Sequence, residues 1–413
     1  MTLRIDVERV RQQFPALART HRGQQVVYLD GPGGSQVCQF AIDAVSAYMS
    51  RGGGNLHGVF PTSVETEDIL AQARRSVGSL LNVPAEEVAF GPNMTTLNLA
   101  ISRALARTWQ PGDEIVVTEL DHRANVDPWR RAAKDRGVTV KWLKVDTKTL
   151  TLDLKALDHL LSPRTRLVAV GLASNAVGTV TDVRHIASMA HAMGALVAVD
   201  AVHAAPHMVI DRDALGADML LCSAYKFFGP HVGVATLRRD VFESLDTYKL
   251  EPAPSSIPDK LETGTQNHAG IAGVGAAISY ISTLGQGATL HEKLVRAFDL
   301  IEAHEDALAW RMRQGLQDLP GVTLYSAAPD IRKTPTIAFT VDGVAPREIC
   351  QEMVDEYGIF IADGDFYAST LAHKLGLDQT GVRARWPCTV QYERGGRRLF
   401  GGPDSRSETS PLG

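Results

Sequence analysis

Between residues 87 and 237 the chain alternates short apolar runs with amphipathic stretches, and this rhythm limits the possible folds more than any other feature. Residues 87–90, 114–118, 138–145, 165–172, 196–199, 217–223 and 232–237 read as strands. Residues 95–108, 128–136, 154–161 and 183–193 read as the helices between them. A βαβα order of this kind builds a largely parallel sheet wrapped by helices, with right-handed crossovers. Ligands of such sheets sit beyond the carboxyl ends of the strands, so chemistry is expected there. Upstream, residues 5–14 read as a helix closed by Pro15, residues 26–30 as a short strand, and residues 40–49 and 64–81 as helices. Downstream, a long charged helix over 289–316 leads to a strand at 337–341 and a helix at 346–357, the start of a small α+β domain.

Four strand ends carry distinctive residues. The first reads Gly91-Pro92-Asn93-Met94-Thr95-Thr96 and opens a helix. Free N–H groups and two hydroxyls there suit a phosphate, although an ordinary Asn or Thr N-cap reads the same way. The second places His122 in a loop, to stack on a flat ligand, to move a proton, or simply to bond backbone. The third ends a fully apolar strand in Asp200, a carboxylate that needs a cation, a protonated ring nitrogen or a structural ion pair. The fourth sets Lys226 among Tyr225, Phe227 and Phe228, where an amine either snorkels to the surface or condenses with an aldehyde. Phosphate cradle, ring-stacking histidine, carboxylate and buried amine are jointly what pyridoxal 5'-phosphate requires.

Composition excludes other classes. The 413 residues are 44% hydrophobic and 22% charged, enough apolar material for a large domain and a smaller one, and too much for global disorder. No apolar run reaches membrane-spanning length, and residues 1–18 lack the apolar core of a secretory leader, so a soluble cytoplasmic protein is expected, with no membrane partner. A net charge of −5 gives no footprint for nucleic acid. Cys38, Cys222, Cys350 and Cys388 form neither a disulfide framework nor a zinc pattern, so no metal is expected. From Trp386 onward the text turns basic and glycine-rich without helical periodicity, and residues 386–413 read as a replaced or frame-shifted tail.

Several motifs resemble one family. They are Gly54-Asn55-Leu56-His57-Gly58, Asn93-Met94-Thr95-Thr96-Leu97-Asn98, Asp121-His122-Arg123-Ala124-Asn125, Ser174-Asn175-Ala176-Val177-Gly178, Val199-Asp200-Ala201-Val202-His203, Ser223-Ala224-Tyr225-Lys226 and Glu262-Thr263-Gly264-Thr265-Gln266. Over residues 7–383 the chain resembles the class V aminotransferases of pyridoxal phosphate fold type I, in the cysteine desulfurase-like and isopenicillin N epimerase-like subgroup. That resemblance implies an α/β large domain with a mostly parallel seven-stranded sheet between helices, over residues 21–285. It also implies a small C-terminal α+β domain over 286–385, on which an N-terminal helix within 1–20 packs.

The resemblance assigns roles residue by residue. Lys226 is the Schiff-base lysine and proton carrier, Asp200 binds the pyridine nitrogen, and His122 stacks on the ring. Thr95, Thr96 and Ser223 bind phosphate, and Asn175 lies near the phenolic oxygen and the substrate. Thr265 reaches the phosphate of the partner subunit in a homodimer with shared sites, and Arg383 holds the carboxylate of a small amino-acid substrate. Three departures stand out. His203 replaces the usual glutamine beside the phenolic oxygen, Tyr225 replaces a histidine, and the loop expected to carry a sulfur-accepting cysteine reads Ile361-Ala362-Asp363-Gly364-Asp365-Phe366-Tyr367. The implied reaction is β-elimination or C–S cleavage, epimerisation or transamination. The alternatives are a true cysteine desulfurase and an inactive binding protein of the same fold.

Overall fold

The computed structural model describes residues 5–31, 33–377 and 382–383, the last two by backbone alone. The tail 386–413 and Cys388 lie outside the described residues. Helix α1 (Val7–Arg11) and strand β1 (Val27–Tyr28) precede helices α2 (Gln39–Arg51) and α3 (Pro61–Leu81). Then β2 (Val88–Gly91), α4 (Met94–Leu105), β3 (Glu114–Thr118), α5 (Asp127–Asp135), β4 (Thr139–Leu143) and β5 (Thr165–Gly171) follow in alternation. They continue with α6 (Val183–Ala192), β6 (Leu196–Asp200), β7 (Met219–Ser223) and β8 (Gly233–Leu237).

Strands β2 to β8 form one seven-stranded sheet in the order β2-β8-β7-β6-β5-β3-β4. All run parallel except β8, which is antiparallel to both neighbours. Pleating sends alternate side chains to opposite faces, and both faces are covered. Val116, Val168, Val170, Val197, Val199 and Leu220 pack into one core with residues of α2, α3 and α6. Their neighbours Ile115, Val117, Leu167, Ala169, Ala198 and Leu221 pack into a second core with α4 and α5. The inner strands are therefore apolar through their middles because neither face meets solvent, whereas the edge strand β4 exposes Thr139 and half-buries Lys141.

A helix absent from the sequence reading, α7 (His268–Ser282), packs on α2 and α3. A Cβ at its Gly273 would stand 2.9 Å from Val45 Cγ2, so a glycine allows the close approach. Helix α8 (Leu290–Gln317) runs 28 residues, about 42 Å at the usual rise, from a capping box between Thr289 and Glu292.

The small domain holds β9 (Val322–Tyr325) paired with β10 (Ala338–Val341), and helix α9 (Pro346–Tyr357). It also holds β11 (Ile359–Phe360), paired in parallel with β1, and β12 (Ala362–Asp363), paired with β13 (Val382–Arg383). Its own core joins Leu29, Met312, Leu316, Phe339, Cys350 and Ile359. Near the N-terminus, Phe14 packs edge-on against Phe228 and Tyr280.

Candidate active site

Five parallel strands end at one cavity of about 680 Å³, within the range of small-ligand sites. Beyond β2, Asn93 caps α4, with its Oδ1 accepting from Thr96 N at 2.8 Å and from Thr96 Oγ1 at 3.0 Å. Thr96 is thereby engaged in the cap and does not line the cavity, whereas Thr95 does. Ser223 Oγ accepts from Met94 N at 3.0 Å, tying the end of β7 to the start of α4. A Cβ at Gly233 would lie 2.3 Å from the Asn93 carbonyl carbon, so only glycine lets β8 pass this close beneath the helix start.

Beyond β3, His122 Nδ1 accepts from Ala124 N at 3.0 Å, which places the proton of the neutral ring on Nε2. The neighbouring Asp121 is buried, lines the cavity and holds Asn125 Nδ2 at 2.9 Å. Burial pushes its carboxyl up from the usual range. Beyond β5, Asn175 Nδ2 donates to the Phe366 carbonyl at 2.9 Å. Its Oδ1 is buried without a partner among the described residues.

Asp200 ends β6. Burial raises its pKa to about 7, the charge of Asp121 adds to the rise, and the Val202 N–H at 2.9 Å and the Lys226 ammonium oppose it. His203 follows, buried, with Nε2 at 2.9 Å from Thr334 Oγ1 and 2.8 Å from Thr336 Oγ1. Lys226 closes the one-turn 3-10 helix Ala224–Lys226 after β7, half-buried, with its Nζ 4.8 Å from the centre of the Tyr225 ring. Tyr225 in turn stacks on His231 at 4.9 Å and 5°.

Lys226, Asp200, His122, His203, Asn175, Thr95 and Ser223 thus meet in one cavity, as do two residues of the small domain, Phe366 and Tyr367. The latter two hold φ values of 50° and 57°, uncommon for side chains of this size. Tyr367 lies against His122, with ring centroids 5.4 Å apart. Thr265 is exposed and does not line this chain's cavity. The Arg383 backbone pairs with Ala362, beside the same loop, and its side chain lies outside the described residues.

Asp121, Thr334 and Thr336 were not anticipated from sequence. Asp121 sits inside a quoted motif and could have been found as a carboxylate at a strand end. The two threonines, about 130 residues from His203, gave no signal. Among the described residues no cysteine lines the cavity. Cys38, Cys222 and Cys350 are buried, and burial pushes their thiols up to about 11, 12 and 11.

A doubly covered sheet with lysine, aspartate and histidine at its strand ends defines an α/β enzyme of the pyridoxal-phosphate type. Residues 27–387 match the class-V aminotransferase family, and the chain belongs to it. It is 32% identical over 397 residues to a probable cysteine desulfurase of Streptomyces coelicolor, covering 91% of each chain. It is equally 32% identical over 391 residues to the aminotransferase-like protein FGM3 of Gibberella zeae, covering 91% of this chain and 92% of that one. Among solved structures, an apo cysteine desulfurase of Thermococcus onnurineus superposes with a TM-score of 0.85 at 26% identity, covering 97% of both chains. The chain is accordingly a cysteine desulfurase-like member of the pyridoxal-phosphate-dependent enzymes that act at the Cα of amino acids.

Proposed function

We propose that this chain binds pyridoxal 5'-phosphate in the strand-end cavity and acts there on a small amino acid without passing sulfur to its described cysteines. The observation that carries the reading is the convergence of Lys226, Asp200 and His122 from three separate strand ends on one cavity. The donor set fits the cofactor. Asn175 Oδ1, without a partner among the described residues, is a buried acceptor whose desolvation costs about 1–3 kcal/mol until a ligand donor meets it. The Asp200 carboxyl, raised by burial, regains its charge beside a protonated ring nitrogen.

When bound, the cofactor supplies an electron sink for charge developing at the substrate Cα. Lys226 moves the proton at that carbon, and its place just past β7 fixes the amine's approach. His122, its Nδ1 held by backbone, offers a ring face of fixed orientation. Thr95, Ser223 and the first N–H groups of α4 hold the phosphate. Asn175 and Arg383 orient the amino acid, and Arg383 suits a carboxylate through a two-pronged pair. Thr96 contributes through the cap it completes. Thr265 serves the site of a second copy in a homodimer. Exposed Phe40, Ile42 and Met49 on α2, with Val59, Phe60 and Val64 at the start of α3, support such a contact. Free thiols suit the reducing cytoplasm.

Purified protein is expected to show the visible absorbance of bound pyridoxal phosphate, and Lys226→Ala to lose it. A colourless protein that gains no band with added cofactor overturns the reading. Amino acids that shift the band identify substrates, and product analysis then separates elimination, epimerisation and transamination.

The names of several relatives favour a second reading, a true cysteine desulfurase. That reading requires a thiolate able to reach the substrate. Cys350→Ser and Cys388→Ser are expected to leave any sulfide release from L-cysteine unchanged, whereas loss in either restores the relay.

A further inference from the structure

Behind the cavity wall lies a buried polar cluster built from three distant parts of the chain. His203 and His207 follow β6, Glu305 lies midway along α8, and Thr334 and Thr336 precede β10. All five are buried, Glu305 at 1% exposure. Glu305 Oε2 lies 2.9 Å from His207 Nδ1. The His207 ring packs edge-on against His203 at 5.3 Å and 63°. His203, which lines the cavity, places Nε2 between the two threonine hydroxyls, themselves 3.1 Å apart.

Two features point the same way. A carboxylate buried against an imidazole favours a proton on the facing nitrogen, and its charge is poorly screened in the protein interior. The hydroxyl pair also accepts a proton-bearing Nε2 comfortably. Thr336 can donate to Thr334, and Thr334 Oγ1 can donate onward to the Gly178 carbonyl at 3.4 Å. Other charges face the cluster. Glu302 on α8 is paired with Arg332. Asp306 carries a carboxyl raised by burial. Arg313 donates to the Thr334 and Thr336 carbonyls at 2.9 and 3.1 Å. Lys333 lies next to Thr334, and Asp200 and Lys226 share the cavity with His203.

We propose that Glu305 and His207 are positioning residues that favour the protonated form of His203 at the cavity wall. Glu305 holds His207 as an Nδ1–H donor, and its negative charge acts through the poorly screened interior on His203, against whose ring His207 packs edge-on. The significance for catalysis rests on the reading that this cavity holds the cofactor, but the protonation itself is a property of the chain alone.

The test is a histidine titration by NMR on cofactor-free protein, with the His203 signal assigned by its loss in His203→Gln. Glu305→Gln is expected to lower the His203 midpoint by about one pH unit, a tenfold loss of proton affinity. Glu305→Ala removes the same carboxylate, is expected to act in the same direction, and serves if Glu305→Gln does not fold. Glu302→Gln removes the same charge from the same helix where Arg332 already balances it, and is expected to shift the midpoint by less than about 0.3 unit. In loaded enzyme, the pH midpoint of the visible band is expected to follow the NMR midpoint. An unchanged His203 midpoint in Glu305→Gln, or an equal shift in Glu302→Gln, overturns the proposal. Absence of any visible band counts against the cofactor reading and leaves the titration result standing.

Discussion

The cavity has a floor and a wall, and they are built differently. The floor is the set of strand ends, where Asp200 closes β6 and Asp121, His122 and Lys226 follow within a few residues of the fully buried strands β3 and β7. The wall comes from the small domain, where Phe366 and Tyr367 take the left-handed backbone region and Tyr367 is 70% exposed. Backbone strain of about 1–2 kcal/mol per such residue persists only where surroundings impose it. Here the floor imposes it, since Asn175 Nδ2 holds the Phe366 carbonyl and Arg123 N donates to the Tyr367 carbonyl at 2.7 Å. The residues proposed for the chemistry thus stand on rigid elements, and a strained exposed loop lines the rest of the cavity.

Breaking the floor is expected to give the largest effects. Lys226→Ala should lower kcat by at least about 10³-fold if Lys226 is the proton carrier proposed above. Asp200→Asn should lower it about 10²-fold, with the protein still folded. Asp200 also predicts a pH signature in cofactor-free protein. Its pKa rises from 3.8 unfolded to about 7 folded, so between these values the native state binds more protons than the unfolded state. Stability therefore falls as pH rises through that window, by about 4 kcal/mol as an upper bound, and levels off above it. Urea unfolding near pH 5 and pH 8 should show this fall in the wild type and a flatter response in Asp200→Asn. Greater stability at the higher pH would mean that the buried carboxylate already has a compensating partner.

The same division governs what could be read from sequence. The floor was legible because an apolar strand that ends in a charged residue is conspicuous, and because α/β sheets place ligands at those ends. Thr96 shows the limit of such local reading, since the plain N-cap interpretation describes its hydroxyl. Helix α7 was missed because Gly270, Gly273, Gly275 and its alanines give no amphipathic period, as expected of a helix buried between α2 and α3. The reversed direction of β8 was not encoded either, because a short run buried on both faces reads alike in both orientations. The wall was illegible for a different reason. Thr334, Thr336 and Glu305 meet His203 only through the docking of α8 and the small domain on the sheet, and no local pattern specifies that contact.

The wall can be perturbed without touching the chemistry. Tyr367→Gly relieves a left-handed φ and loses little packing, while glycine costs about 0.5–1 kcal/mol in backbone entropy. Stability is expected to stay within about 1 kcal/mol of wild type, while KM for the amino acid rises about tenfold and kcat changes little. A large fall in kcat at unchanged KM would instead place the Tyr367 side chain among the reacting groups.

Cys350→Ser is expected to have the smallest effect on catalysis, and it probes whether chemistry resides anywhere in the small domain. The thiol sits on α9 inside the core with Leu29, Met312 and Ile359, and burial pushes it up to about 11. At neutral pH it is therefore protonated and a poor nucleophile, and it does not line the cavity. Replacing sulfur by a hydroxyl in this core should lower stability by about 1–2 kcal/mol and leave kcat within about twofold. If sulfide release instead vanished with the fold intact, the small domain would have to swing its core open to present Cys350. The contrast between a chemical floor and a selective wall would then fail at its strongest point.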